Sequence, residues 1–184
     1  MGLSDLMRES FQADIRRQLQ KCGNATAHYH KGKALEDLMC CLFEAIPGIT
    51  AIRNKKNVFE TEEVDICLYN IFSPGGLPSP AFPPWILIEC KNWSQKVSSS
   101  EVSWFDTKLR DRGLSLGILI ATQGITGDSH RLTDAHFIVA KALSEQRKII
   151  VITRMDIEEL TDASDLVNLL IDKLSNLFLN MTCF

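Results

Sequence analysis

Asp65 in Glu63-Val-Asp-Ile-Cys-Leu-Tyr-Asn70, with Glu89 and Lys91 in Trp85-Ile-Leu-Ile-Glu-Cys-Lys91, are the residues whose types and spacing could do chemistry. Successive side chains of a strand alternate faces, so Glu89 and Lys91 project together while Ile86, Ile88 and Cys90 take the opposite face. Two charges therefore leave the end of an apolar strand side by side. Burying a charge without a partner or metal is costly, so Glu-x-Lys at a strand end, opposite another strand carrying Asp65, reads as a built site. A hard divalent cation is the expected occupant. As a bare pattern the same residues also read as a solvated ion pair at a strand end.

The elements that must position these residues follow from periodicity. Ser4 can cap a first helix with apolar positions Leu6, Phe11, Ile15 and Leu19, and the polar stretch Lys21 to His30 reads as a loop, leaving that helix an addition to the core. A second helix begins near Lys31, where Leu35, Leu38, Met39, Leu42, Phe43 and Ile46 keep helical spacing until Pro47-Gly48, with Glu36 on the edge of the apolar face. An extended stretch around Ile49 to Val58 follows, and from Glu63 to Phe72 the apolar Val64, Ile66 and Leu68 alternate with Asp65, Cys67 and Tyr69. The prolines and glycines of 73–84 permit no regular structure, so they form a long loop to the antiparallel return strand Trp85 to Lys91. A helix from the Ser98–Glu101 cap to Gly113 precedes Leu116 to Thr122, whose unbroken apolar run predicts a strand buried on both faces. A helix over about Ser129 to Gln146, a buried strand Ile149 to Thr153 and closing helices around 156–160 and 162–181 complete the order. Such an order implies an α/β fold with a mixed sheet, antiparallel at the hairpin and parallel across helical crossovers.

Composition narrows the function classes. With 184 residues, 45% hydrophobic and 23% charged, the chain reads as a single domain, 1–184. A formal net charge of −3 and a pI near 5.8 exclude a protein that holds nucleic acid by bulk charge, though not one with a local basic patch. Six cysteines without framework spacing suit a reducing cytoplasm, and neither a secretion signal nor a membrane span is indicated. No phosphate-cradling Gly-rich loop ending in Lys-Ser/Thr and no Gly-x-Ser-x-Gly elbow occurs, which disfavours ATP hydrolysis and acyl transfer.

This order, with Glu36 on the first core helix, Asp65 on the second strand and Glu89-Cys90-Lys91 on the third, resembles the restriction-endonuclease-like PD-(D/E)xK nuclease superfamily, within it the Mrr-type restriction endonuclease catalytic domain. Gly32-Lys-Ala-Leu-Glu36, Val64-Asp65-Ile66, Glu89-Cys-Lys-Asn-Trp93 with Lys96-Val97, Gly117-Ile-Leu-Ile-Ala-Thr122 and Ile149-Ile-Val-Ile-Thr153 with Asp156-Ile157 carry the resemblance. It spans 31–160, with 1–30 as an N-terminal helical extension and 161–184 as a C-terminal helix. Val64 stands where the motif is named for proline, and Glu89 stands where Mrr-type domains often have glutamine. The resemblance implies a three-layer αβα sandwich of core order αβββαβ plus a C-terminal strand and helices. It also implies a DNA endonuclease of restriction or phage-defence type using Mg2+, with Mn2+ as substitute. The alternatives are a structure-selective nuclease of the junction-resolvase kind and a catalytically silent DNA-binding or assembly subunit.

Phosphodiester hydrolysis needs an activated water and compensation for charge on the phosphoryl oxygens, and Mg2+ takes one or two carboxylates together with waters and a substrate phosphate. Asp65 and Glu89 are the expected carboxylates, and the resemblance adds the Cys90 backbone carbonyl. Lys91 is expected beside the attacking water, and Glu36 on a metal-bound water or a second ion. Arg53, Lys55, Lys56, Lys96, Lys108, Arg110 and Arg112 are the candidates for phosphate contact, with ordinary solvated charge as the reading for any single one. Trp93 and Trp104 either stack on bases or pack in the core or an interface. Cys22, His28 and His30 lack the paired spacing of a zinc site, and Cys40-Cys41 reads as core filling. With no separate recognition domain in view, specificity is expected from a homodimer, a recognition or activating subunit, or DNA structure. The apolar last helix, from Leu166 to Leu179, would be buried against the core or another subunit.

Overall fold

A computed structural model describes the backbone of residues 3–24, 28–56 and 63–182 and the side chains of 9–21, 32–53 and 63–182. Five strands form one sheet in chain order: β1 (Ile49–Lys56), β2 (Glu63–Asn70), β3 (Trp85–Lys91), β4 (Leu116–Ala121) and β5 (Lys148–Ile152). The first two pairings are antiparallel and the last two parallel. Parallel neighbours require a crossover, and the helices α3 (Ser99–Asp111) and α4 (Asp134–Ser144) supply the two that β4 and β5 need. They pack on each other and on β4 and β5. On the other side, α1 (Leu3–Asn24) packs on α2 (His28–Glu44), α2 on β1, β2 and β3, and α6 (Ala163–Asn180) on β5 and α2. The short α5 (Arg154–Glu159) is closed at its start by a capping box between Thr153 and Asp156. This is the mixed α/β architecture expected from the order of elements.

Burial follows the alternation. In β2 the side chains of Val64, Ile66 and Leu68 are buried while Asp65 and Cys67 are half-buried and Tyr69 is exposed. Every residue of β4 is buried, and Gly117 is required there because a Cβ would stand 2.6 Å from the Phe105 ring of α3. Among the described residues no helix is long and apolar enough to cross a membrane.

Two expectations are corrected, and one that named two alternatives is met by the core. The stretch 21–30 is mostly helical, because polarity alone does not stop a helix where no proline intervenes, and Ile15 and Leu19 of α1 are buried in the core. Only 25–27 separates the helices, and these lie outside the described residues. The helix expected from Ser129 starts at Asp134, because the Asp128 carboxylate accepts the His130 and Arg131 N–H groups at 2.9 and 2.8 Å and turns the chain first. The last helix buries Leu166, Leu170, Lys173, Leu174 and Leu177 against this chain, leaving Phe178 and Leu179 exposed.

Candidate active site

The site lies where β2 and β3 part. Their ladder ends at the pair Ile66–Ile88, while β3 continues beside β4 as far as Lys91–Ala121. The Cys90 N–H is therefore left without a rung from β2, and Asp65 Oδ2 accepts it at 2.8 Å. Beyond β3, Thr122 donates its N–H and its hydroxyl to the Lys91 carbonyl at 3.2 and 3.3 Å, holding the strand end in place.

Four charges of alternating sign meet on this face. Glu89 is buried, with Lys91 Nζ 3.2 Å from Oε1 and Lys108 Nζ 2.8 Å from Oε2. Lys91 Nζ also lies 3.0 Å from Glu101 Oε2 and 5.1 Å from the centre of the Trp93 ring. Both Glu101 and Lys108 come from α3, seven residues apart and flanking the apolar stripe Val102, Phe105 and Leu109, so one helical face delivers both. Glu101 was not among the residues expected from the sequence, and Lys108 was expected at phosphate. The signal for both was a charge set into the core-facing stripe of a helix.

The electrostatics follow from crowding. Burial first, then the charge of Glu89, pushes the Asp65 carboxyl up to about 6, while the Cys90 N–H pulls it down. Burial alone would lower Lys91, but Glu89 and Glu101 outweigh it and hold the ammonium above its usual range, so Lys91 is a firmly protonated donor. Burial also raises Glu36, with Arg53 acting against it, and the Glu36 charge is felt at Asp65. The structure thus brings Asp65, Glu89 and Lys91 together with Glu36 at the margin.

The basic candidates fare differently. Arg53 lies 2.5 Å from Asp37 and 3.8 Å from Glu36, so its charge is paired with two carboxylates of α2. Lys108 is buried against Glu89, with the Glu63 carbonyl accepting a further N–H at 3.0 Å, and is withdrawn from solvent. The Arg112 guanidinium donates to the Lys108 carbonyl at 3.3 Å, whereas Arg110 is exposed beside Asp111. Lys96 is exposed at a surface cavity of about 390 Å3 that Gly124, His136 and Thr153 also line. The side chains of Lys55, Lys56, Cys22, His28 and His30 lie outside the described residues. Trp93 and Trp104 are both exposed and take no place in the core. Cys40 is buried, its thiol pushed up to about 11 by that burial, and Cys41 is exposed.

Among the described residues no group of three or more His, Cys, Asp or Glu side chains could cage a metal unaided. Asp65 and Glu89 are nonetheless oxygen donors of the kind a hard divalent cation prefers, and such an ion keeps much of its water, so the donor set fits one.

The catalytic-domain profile of the Mrr-type restriction endonucleases matches residues 28–161. The chain belongs to that family. The Mrr-type match therefore runs from the first residue of α2 to just past α5 and takes in every site residue above. In fold the Mrr-type chain is similar to NucC of P. aeruginosa ATCC27853 in its cAAA-bound form, with a TM-score of 0.56 and 16% identity over 99% of this chain and 93% of that one. It is similar also to the cAAA-bound form of NucC from E. coli MS115-1, with a TM-score of 0.56 and 15% identity over 99% and 92%. At these identities the likeness is one of fold. No curated protein matches the sequence.

Proposed function

We propose that this Mrr-type nuclease is a DNA endonuclease dependent on Mg2+, with Mn2+ as substitute, hydrolysing phosphodiesters at the end of β3. The observation that carries this reading is the gathering of Asp65, Glu89 and Lys91 where β2 and β3 part, with Asp65 Oδ2 on the Cys90 N–H at 2.8 Å and Lys91 Nζ 3.2 Å from Glu89. Asp65, Glu89 and the Cys90 carbonyl are the groups that would hold the ion. Bound there, Mg2+ supplies charge compensation at the scissile phosphate and an acidified water. Lys91, kept protonated by Glu89 and Glu101, stabilises negative charge on the attacking side and does not act as a base. Glu36 orients water at the margin. Of the basic candidates with described side chains, Lys96 and Arg110 face solvent and are those proposed for DNA phosphates; the net charge of −3 leaves a homodimer or a separate recognition or activating subunit to add to the grip.

The deciding experiment incubates supercoiled plasmid and Mg2+ with wild type, Asp65→Ala and Lys91→Ala, with EDTA as control. Wild type nicks or linearises the plasmid, and each variant loses about a thousandfold or more in rate. Equal nicking by all three would sink the assignment. Because the NucC structures were solved with cAAA bound, an arm with added cAAA distinguishes a latent enzyme from an inactive one. Four-way junctions cut in preference to linear duplex would favour the structure-selective alternative.

A further inference from the structure

Lys108 is 5% exposed, with its ammonium 2.8 Å from Glu89 Oε2 and 3.0 Å from the Glu63 carbonyl oxygen. Taking an ammonium out of water costs several kcal/mol, and pairing it with a carboxylate often does no better than an apolar residue of the same size. Packing therefore gives no reason for a lysine between Phe105 and Leu109, where an apolar side chain would join α3 to the sheet. The charge has a different beneficiary. Glu89 is clamped by two ammoniums, Lys91 at one oxygen and Lys108 at the other. Hydrolysis in the proposed site calls for only the first of these. A carboxylate oxygen has two lone pairs, so this clamp leaves Glu89 with lone pairs to donate to a metal ion.

We propose that Lys108 is a built-in cation of the active site, a positioning residue that offsets Glu89 as a second metal ion would and leaves the Asp65–Glu89 pair with the charge for one exchangeable divalent ion. The inference rests on the reading of Asp65 and Glu89 as the metal-holding pair. It makes a prediction opposite to that of a simple staple between α3 and the sheet. Loss of a staple loosens Glu89 and weakens metal binding. Loss of a resident positive charge beside Glu89 strengthens it, since a dication a few ångströms away is no longer repelled.

Calorimetric titration of the full chain with Mn2+, without DNA, separates the two. Lys108→Met binds Mn2+ about tenfold or more tightly than wild type, while Lys108→Arg, which keeps the charge, stays within about threefold of it. In plasmid cleavage Lys108→Met lowers kcat and leaves KM nearly unchanged. Unchanged or weaker Mn2+ binding by Lys108→Met, or equal tightening in Lys108→Arg, overturns the proposal. If Lys108→Met does not fold, Lys108→Gln is read by the same titration and the same criterion. Asp65→Asn guards the premise: if it loses Mn2+ binding while the Lys108 variants show no tightening, only the role of Lys108 falls. If Asp65→Asn binds Mn2+ as wild type does, the site itself is wrong.

Discussion

β3 and β4 lie side by side in parallel, with Glu89 opposite Leu119 and Lys91 opposite Ala121, yet one strand ends in charge and the other is apolar throughout. The difference comes from what surrounds them. β4 has a strand on each side and α3 so close that Gly117 has no space for a Cβ. β3 loses its β2 neighbour after Ile88, the Asp65 carboxylate enters the gap, and Glu101 and Lys108 answer the two charges on β3 with two of opposite sign. Charge is admitted where the backbone parts and counter-charges converge, and is excluded one strand away where neither holds.

The most severe way to break this comparison is to place the charge on the wrong strand. Leu119→Glu puts a carboxylate opposite Glu89 at a site that is 1% exposed, and it should cost roughly 4 kcal/mol or more, seen as loss of the cooperative urea transition. A variant that unfolds within about 1 kcal/mol of wild type would mean the two strand ends are equivalent.

Removing the charge from the right strand acts the other way. Asp65 has its carboxyl raised from 3.8 to about 6 in the folded chain, so between those values the folded form holds more protons than the unfolded. The cost of its charge is thus fully present above that window and absent below it. In EDTA, Asp65→Asn should gain about 1–2 kcal/mol near pH 7.5, discounted for solvent screening, and the gain should vanish as pH falls to about 4. Urea midpoints across pH read it, and a gain that does not change with pH would point to some cause other than the carboxylate.

Smaller effects sharpen the picture. Glu101→Gln removes one charge that holds Lys91, and kcat should fall about tenfold with KM little moved, a barrier change of about 1.4 kcal/mol. An unchanged kcat would show that Glu89 alone places Lys91. Arg110→Ala, outside the cluster and exposed beside Asp111, should alter stability by no more than about 0.5 kcal/mol while raising KM for DNA. A larger loss of stability would give Arg110 a structural part that its surroundings do not indicate.

Much of the fold was legible in the chain because its signals are local. Alternation marked β2, the unbroken run Leu116 to Ala121 marked a strand buried on both faces, and Pro47-Gly48 closed α2. Boundaries were legible where a specific residue stops an element and illegible where polarity stood in for one, as at 21–30, or where a side chain turns the backbone before the helix, as Asp128 does ahead of α4. The shared face of Glu89 and Lys91, with Asp65 on the neighbouring strand, was legible because side-chain alternation acts within strands. Their pairing with Glu101 and Lys108 was not legible, since those two come from a different element.

The sequence by itself determined which residues share a strand face, because side-chain direction in a strand is set by covalent geometry and needs no neighbour. It therefore placed Glu89 with Lys91 and gave Asp65 a strand of its own. Only the tertiary structure decided that Lys108 is paired inside the protein, that Arg53 pairs with Asp37 on α2, and that Glu101 completes the cluster. Whether a charge is free or paired depends on the few ångströms across which another element approaches, and no spacing along the chain encodes that distance.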